Sequence, residues 1–290
     1  MPPVPPARRP LFAPLWSALR ALRAVFLIAC YLVVLPSSFL PWLLFLLFFR
    51  GDAEARARVL QRTSARGVRF MHWWLRVFRV IRFDWREVKL ALPPGPCVIV
   101  ANHPIQLDPT VLMAVLVHAV SLVKPSIFRR RFVRPILEGA GHIEGPDLDP
   151  ATVGTAIDTA VRRLRVGMHV FVFPEAKRSP QGRLRPFGRI AFEIAARAQV
   201  PLVSIALRCE PCYLSRETPL LLPPPTLPRV SVAILAIDEP AAFGDDSKAL
   251  KERVEGRYKA WVADGMPPLA ASAATSPAPS RSSMRPATGA

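Results

Sequence analysis

Short apolar runs alternate with helix-like stretches between residues 84 and 263, and this alternation restricts the chain to few folds. The apolar runs, at 97–101, 169–173, 202–207 and 230–237, are rich in Val and Ile and bounded by Gly, Pro or polar residues, as buried strands are. Helical periodicity marks residues 110–120, 151–166 and 189–198. The pattern predicts an α/β domain at 84–263, with a mixed sheet covered by helices. Ligand-binding residues of such sheets collect just past the strand ends.

An uncharged apolar stretch at 24–49 precedes this domain and is longer than the ~20 residues that cross a bilayer as a helix. Pro36 and Pro41 interrupt it, so that each arm is too short to cross alone. Arginines flank the stretch on both sides, so the positive-inside rule favours neither orientation of a single span. We therefore expect an N-terminal membrane-embedded helical hairpin with both flanks on the cytoplasmic side. A single kinked span is the alternative.

Three further segments complete the predicted organisation. Residues 1–23 form a basic N-terminal segment. Residues 50–83 are expected to hold an interfacial amphipathic helix, because Trp73, Trp74 and regularly spaced arginines accompany its apolar residues. An ordinary amphipathic core helix is the alternative interpretation. Residues 264–290 are mostly Pro, Ala and Ser and are expected to be a disordered tail.

The charge of the chain indicates an anionic partner. Its 290 residues include 39 Lys and Arg against 21 Asp and Glu, a formal net charge of +18. Acidic lipid headgroups, a phosphate-bearing substrate and nucleic acid all fit that charge, but a nucleic-acid binder would not explain the apolar stretch. The four cysteines show no framework spacing, which indicates a reducing compartment. Cys209 and Cys212 form a lone CxxC, expected to be two partly buried thiols and not a metal site.

A histidine and an aspartate lie at the predicted end of the first strand. Pro104 disfavours helical backbone at His103, which should therefore lie in an extended or turn conformation. Asp108 followed by Pro109 resembles a helix N-cap with proline at the first helical position. If the two side chains meet, the carboxylate orients the imidazole and leaves its other nitrogen as a base. The alternative is a chance spacing, with Asp108 only a cap and His103 only a surface residue.

A second polar segment follows the next predicted strand. Glu175, Lys177 and Arg178 place a carboxylate and two cations in one short turn. Such a cluster suits a polar, anionic acceptor. A solvated turn without a ligand is the alternative on this segment alone.

The two segments together resemble the glycerolipid acyltransferase family typified by bacterial 1-acylglycerol-3-phosphate acyltransferase. The resemblance is carried by Asn102-His103-x4-Asp108 and by Phe173-Pro174-Glu175-x-x-Arg178-Ser179, in that order. It implies that His103 is the general base and Asp108 its orienting partner. It further implies that Glu175 and Arg178 belong to the acceptor site, and that the acyl chain passes directly from a thioester without a covalent acyl-enzyme.

Other positions match the family less evenly. Lys124 corresponds to a lysine that the family often carries after the first helix. The Gly-x-Ile element of the family is followed by a phosphate-binding arginine, whereas Ile143 is followed here by Glu144 and Asp147. Lys177 adds a cation in the second motif that would compensate. These departures resemble a divergent branch of the family from bacterial clusters for aryl polyene-like or other specialised lipids.

These observations predict a membrane-associated O-acyltransferase at the cytoplasmic face of the bacterial inner membrane. The acceptor is expected to be a 1-acylglycerol-3-phosphate-like lipid, and the donor coenzyme A or acyl carrier protein thioester, with no bound cofactor or metal and no nucleic acid. The partners are anionic membrane lipids and the acyl donor. Predicted substrate-binding residues are Asn102, Lys124, Glu175, Lys177 and Arg178. The alternatives are a non-glycerophosphate acceptor in specialised lipid synthesis and a non-catalytic lipid-binding protein of the same fold.

Overall fold

The computed structural model describes residues 13–29, 45, 48–49, 51–85, 92–147, 149–180, 182–218 and 223–267. Most of the predicted hairpin at 24–49, most of the basic segment at 1–23 and most of the tail at 264–290 lie outside these residues. Those three predictions are therefore not tested. Among the described residues, no helix combines the length and the apolar character that a bilayer crossing requires.

Seven strands form one mixed sheet, which confirms the predicted α/β class. The strands are β1 Arg82–Asp84, β2 Val98–Ala101, β3 Ala119–Val123, β4 Ile143–Glu144, β5 His169–Val172, β6 Leu202–Glu210 and β7 Arg229–Asp238. Their order is β1-β7-β6-β2-β5-β3-β4, and every neighbouring pair is parallel except β6 and β7. The carboxyl ends of β2, β3, β4, β5 and β6 therefore meet at one edge, together with the amino ends of β1 and β7. We call this the catalytic edge.

Helices cover both faces of the sheet. They are α1 Ala13–Ala29, α2 Ala53–Val77, α3 Asp108–Val115, α4 Pro125–Phe128, α5 Arg134–Gly139, α6 Pro150–Arg165, α7 Ile190–Ala198 and α8 Ser247–Ala263, with a 3-10 turn at Pro240–Ala242. Leu164, Phe192 and Val254 bring α6, α7 and α8 into one core. Leu27, Leu75 and Leu112 bring α1, α2 and α3 into a second core on the other face. All four residues of β2 are buried between these cores, as expected of a central strand.

Two predicted boundaries are wrong. The helix predicted at 110–120 ends at Val115, and residues 119 and 120 begin strand β3, which pairs in parallel with β5. Pairing beside an existing strand outweighs the weak local preference of a short apolar run. The predicted limit at 83/84 falls inside strand β1, which pairs with β7. The sheet therefore begins at Arg82, inside the segment expected to be an interfacial helix.

Helix α2 packs on the domain as the core-helix interpretation predicts, and the interfacial role of its other face stays a prediction. Ala57, Leu60 and Leu75 are buried in the domain, as in a core helix. Phe70 and Trp73 remain 60% and 54% exposed on another face. The helix thus packs on the sheet domain and also presents aromatic side chains outward.

Candidate active site

The predicted histidine and aspartate are in direct contact. Nδ1 of His103 lies 2.7 Å from Oδ2 of Asp108, and the backbone N–H of Ile105 donates to the same oxygen at 2.8 Å. The prediction that Asp108 is a helix N-cap is wrong, because Leu107 occupies that position and Asp108 is the first residue of α3. Its carboxylate turns back toward the preceding loop, where these two donors lie. Pro109 consequently occupies the second helical position, not the first.

The aspartate is fully buried, whereas the histidine side chain is 17% exposed. Burial raises the pKa of Asp108 to about 6, although its hydrogen bond and charge interaction with His103 act in the opposite direction. The ionised carboxylate can only accept, so Nδ1 of His103 carries the proton and Nε2 is an acceptor. The imidazole also stacks on Phe173, with ring centroids 4.4 Å apart. Both contacts restrict the orientation of the ring.

Glu175 joins the second motif to the first. Its carboxylate is buried and accepts hydrogen bonds from the backbone N–H of His103 at 3.1 Å, the Ser179 hydroxyl at 2.6 Å and the backbone N–H of Arg185 at 2.7 Å. The Ser179 N–H in turn donates to the His103 carbonyl at 2.8 Å. These contacts give Glu175 a structural role at the catalytic edge. Its predicted contact with substrate is not tested.

Asn102 and Arg178 also have protein partners. The Asn102 side chain donates to the Leu207 carbonyl at 2.8 Å and accepts from the Leu207 N–H at 2.7 Å, which extends the pairing of β2 with β6. The Arg178 guanidinium donates to the carbonyls of Leu214 and Ser215 at 3.1 and 3.3 Å. Both residues therefore organise the loops around His103. Their predicted role in substrate binding stays a prediction.

The two predicted lysines, unlike Asn102 and Arg178, have side chains without a protein partner among the described residues. Lys177 follows Glu175 directly, and Lys124 lies after β3, two strands away from β2. Both are exposed, and neither side chain makes a hydrogen bond or ion pair within the described part of the chain. Lys177 therefore lies in the loops around His103 and Asp108. Lys124 makes no direct contact with those loops in the described part of the chain.

A cavity of about 370 Å³ lies beside the catalytic pair, and we call it the edge cavity. Asn102 and Pro104, on either side of His103 in the chain, both line it. Arg183 adds positive charge to its wall, Arg208 is ion-paired there with Glu210, and Leu184, Val262 and Met266 add apolar surface. Its size is within the range of ligand pockets, ~300–1,000 Å³. Charge and apolar surface together suit an amphiphile with an anionic group.

Comparison with known proteins identifies the segment that carries both motifs. The family model described as "Acyltransferase" matches residues 86–208, which include both motifs. Human 1-acyl-sn-glycerol-3-phosphate acyltransferase beta is 33% identical over 171 residues, 55% of this chain and 60% of that protein. Residues 86–208 therefore match the acyltransferase family, and the chain is similar to 1-acyl-sn-glycerol-3-phosphate acyltransferases. The sheep 1-acyl-sn-glycerol-3-phosphate acyltransferase alpha (Ovis aries) is 29% identical over 221 residues, 73% of this chain and 74% of that protein.

A solved acyltransferase shares the fold. The crystal structure of the 1-acyl-sn-glycerophosphate (LPA) acyltransferase PlsC from Thermotoga maritima superposes with a TM-score of 0.60. It covers 89% of this chain and 99% of that chain at 17% identity. The curated relatives are covered less completely, since the chain spans 60% of the human beta protein and 33% of a chloroplastic 1-acyl-sn-glycerol-3-phosphate acyltransferase from Brassica napus.

The acidic residues in the place of the family arginine have a partner in this chain. Arg129, from the loop after α4, donates to the carboxylates of Glu144 and Asp147. These interactions, led by the hydrogen bond to Asp147, raise the pKa of the exposed Arg129. The segment after β4 thus holds a cation of its own and is not an open anion site.

Several functional contacts were not predicted from the sequence. Ser179 belongs to the recognised motif, so the sequence did mark the residue whose hydroxyl donates to Glu175. Arg185 contributes through its backbone N–H, which any residue except proline would supply, so the sequence carried no signal for it. Phe173 lay in the motif as an apolar strand residue, and only the folded structure places its ring on His103.

Proposed function

We propose that this protein transfers an acyl chain from an acyl thioester to a hydroxyl of a 1-acylglycerol-3-phosphate-like lipid. The observation that carries the proposal is the 2.7 Å contact of His103 with the buried Asp108 at the catalytic edge, beside a cavity. The names of the relatives add support, because they are 1-acyl-sn-glycerol-3-phosphate acyltransferases. A non-catalytic lipid-binding protein would have no need of an oriented imidazole with one free ring nitrogen.

In the proposed reaction His103 acts as a general base and then as a general acid. Nε2 accepts the proton of the acceptor hydroxyl as its oxygen bonds to the thioester carbonyl carbon. Asp108 stabilises the resulting imidazolium through Nδ1–H. When the tetrahedral intermediate collapses, the C–S bond breaks and the imidazolium returns the proton to the thiolate. The products are an ester and a free thiol, and a positioned imidazole typically contributes ~10²–10⁴-fold to such a step.

The proposed acceptor site uses the cations around the edge cavity. Arg183 lines the cavity, and the side chain of Lys177, which has no partner among the described residues, belongs to the adjoining loop. A phosphate held by these groups would place the neighbouring hydroxyl of the acceptor at His103, so that binding of the acceptor also orients its hydroxyl for reaction. Glu175 supports the site by accepting hydrogen bonds from the backbone N–H of His103 and the hydroxyl of Ser179. A non-glycerophosphate acceptor is the second candidate, favoured by Glu144 and Asp147 where the family pattern has an arginine.

The proposed donor is an acyl thioester of coenzyme A or of an acyl carrier protein, with no tightly bound cofactor. Arg130 and Arg131, exposed beside α4, offer positive charge to coenzyme phosphates or to an acidic carrier. The proposed location is the cytoplasmic face of the bacterial inner membrane. There the exposed aromatic face of α2 and the net charge of +18 favour contact with anionic lipids.

The test is acyl transfer by His103→Ala and Asp108→Ala variants. Membrane fractions are incubated with labelled acyl thioesters and a panel of lysolipids, and the products are identified by mass spectrometry. We expect both variants to lose transfer by ~10²-fold or more while they remain in the membrane fraction. The panel also separates the two candidate acceptors, because each gives a product of different mass.

His118→Ala is the matched control. His118 lies just before β3, at the opposite edge of the sheet from His103, so this variant should keep its activity. Full activity in either His103→Ala or Asp108→Ala would contradict the mechanism. Loss of membrane binding in these variants would instead indicate misfolding, which circular dichroism would detect.

A further inference from the structure

A second cavity, of about 470 Å³, lies between α2 and the β1 end of the sheet, and we call it the arginine cavity. Five arginines line it: Arg69, Arg76, Arg82, Arg208 and Arg229. Asp84 is the only carboxylate among the described residues of its wall. The lining therefore carries a large positive excess, which favours an anionic ligand.

Two of these arginines keep capacity for a ligand. Asp84 pairs with both Arg82 and Arg229, and Arg208 pairs with Glu210. The side chain of Arg76 makes no hydrogen bond or ion pair within the described part of the chain. Arg69 donates through Nε to the Ala114 carbonyl at 2.8 Å, but its buried Nη2 has no partner among the described residues. Arg69 and Arg76 lie two turns apart on α2, and this spacing places both on one side of the helix.

A buried histidine between them adds a hydrogen-bond acceptor. The Thr110 hydroxyl donates to the Leu107 carbonyl at 2.7 Å, so its oxygen must accept from Nε2 of His72, 3.0 Å away. His72 is therefore protonated at Nε2, and burial lowers its pKa to about 3. Its Nδ1 is a neutral acceptor, buried and without a partner in the described residues. A ligand that supplies both an anion and a hydroxyl would satisfy Arg69, Arg76 and His72 together.

The surroundings of the cavity distinguish a lipid from a soluble anion. Trp73 lines the cavity and also belongs to an exposed apolar face with Phe70 and Val77, all more than half exposed. Phe26 of α1 stacks on Phe78 next to this face, with ring centroids 4.4 Å apart. The exposed Leu22 and Val25 of α1 extend the apolar surface. A phospholipid carries its phosphate directly above its acyl chains, which matches a cluster of arginines beside an apolar face.

We propose that the arginine cavity binds the headgroup of an anionic phospholipid that is not a reactant, with its phosphate at Arg69 and Arg76 and a headgroup hydroxyl at His72. The site is separate from the edge cavity, although Arg208 lines both. It goes beyond the proposed acyl transfer, because it requires no turnover. A bound headgroup would hold α2, and with it the catalytic edge, against the membrane surface.

The experiment titrates the full chain with dihexanoyl phosphatidylglycerol below its critical micelle concentration, without acyl donor, and follows binding by calorimetry. Monomeric lipid removes the non-specific attraction of a charged membrane surface. We expect saturable binding that exceeds binding of dihexanoyl phosphatidylcholine. Arg76→Gln should weaken it by about ten-fold or more, the effect of losing one charge-assisted hydrogen bond.

Arg79→Gln is the matched control, because Arg79 is exposed just past the end of α2 and does not line the cavity. It removes the same charge and should leave binding unchanged. Equal losses in the two variants, or equal binding of the two lipids, would overturn the proposal. Tighter binding of inorganic phosphate or adenosine 3′,5′-bisphosphate would also overturn it and would assign the cavity to a soluble phosphate. The same titration with the His103→Ala variant should give the same binding, because His103 does not line the arginine cavity. The lipid-binding result therefore does not depend on the catalytic proposal.

Discussion

Asp108 shows how a single side chain can serve both the fold and the site. As the first residue of α3 it accepts from the Ile105 N–H, which closes the loop after His103, and the same oxygen accepts from the imidazole. Complete burial disfavours its charge, while the imidazole favours it. The carboxylate is therefore ionised only when the pH is above its raised pKa.

This raised pKa leads to a prediction about pH. As the pH falls through about 6, Asp108 takes up a proton and loses the negative charge that stabilises the imidazolium. We expect kcat at saturating acceptor to decline below that value, and the decline to report the His103–Asp108 pair as a unit. Initial rates across the acidic range measure it. A phosphate on the acceptor titrates in the same range but acts mainly on KM, so a flat kcat would contradict the assignment.

At the scale of elements, α2 is attached to both ends of α3. His72 bonds the Thr110 hydroxyl in the first turn of α3, and Arg69 bonds the Ala114 carbonyl in its last turn. Helix α3 carries Asp108, so the helix with the exposed aromatic face holds the helix whose carboxylate orients His103. The exposed aromatic face and the His103–Asp108 pair are thus joined by two hydrogen bonds and the apolar packing around Leu75 and Leu112.

Thr110→Val tests this attachment. Valine has nearly the same shape but leaves the buried Nε2–H of His72 without an acceptor, which costs about 1–3 kcal/mol. We expect the free energy of unfolding to fall by that amount in chemical denaturation. Thr155→Val is the control, since Thr155 is exposed on α6 and bonds only its own helix. An equal change in the two variants would show that the bond to His72 contributes nothing.

At the scale of the whole molecule, α1 and α2 place apolar side chains on one surface of a strongly basic protein. Phe26 joins the two helices by stacking on Trp74 and Phe78. Leu22 and Phe70 are 64% and 60% exposed on either side of this contact. Apolar residues flanked by arginines suit the boundary between lipid headgroups and acyl chains.

Phe70→Ser tests that surface at a residue that does not itself line the arginine cavity. Burial of a phenylalanine side chain contributes about 1.5–3 kcal/mol, so partition into phosphatidylcholine vesicles should fall roughly ten-fold or more. Stability should change little, because Phe70 is exposed in the folded protein. Sedimentation with vesicles measures the partition. Val166→Ser, at an exposed apolar residue after α6, serves as the control, and an equal effect there would refute the assignment.

The amino-acid sequence by itself determined the four apolar runs that form β2, β5, β6 and β7, and the spacing of His103 and Asp108. Both are local properties, because hydrophobic periodicity and a tight loop involve only neighbouring residues. Strands β1 and β4 escaped sequence reasoning, since strands of three and two residues form only where a neighbour supplies hydrogen bonds. Strand β3 was missed because its first residues lay inside the helix predicted at 110–120.

Only the tertiary structure decided which groups join the catalytic pair. Glu175 meets the His103 backbone across 72 residues of sequence, and Asn102 meets Leu207 across 105. The arginine cavity likewise combines α2 with strands from the end of the domain. Sequence spacing carries no information about such contacts, because they depend on strand order, and strand order follows from how the whole chain buries its apolar surface.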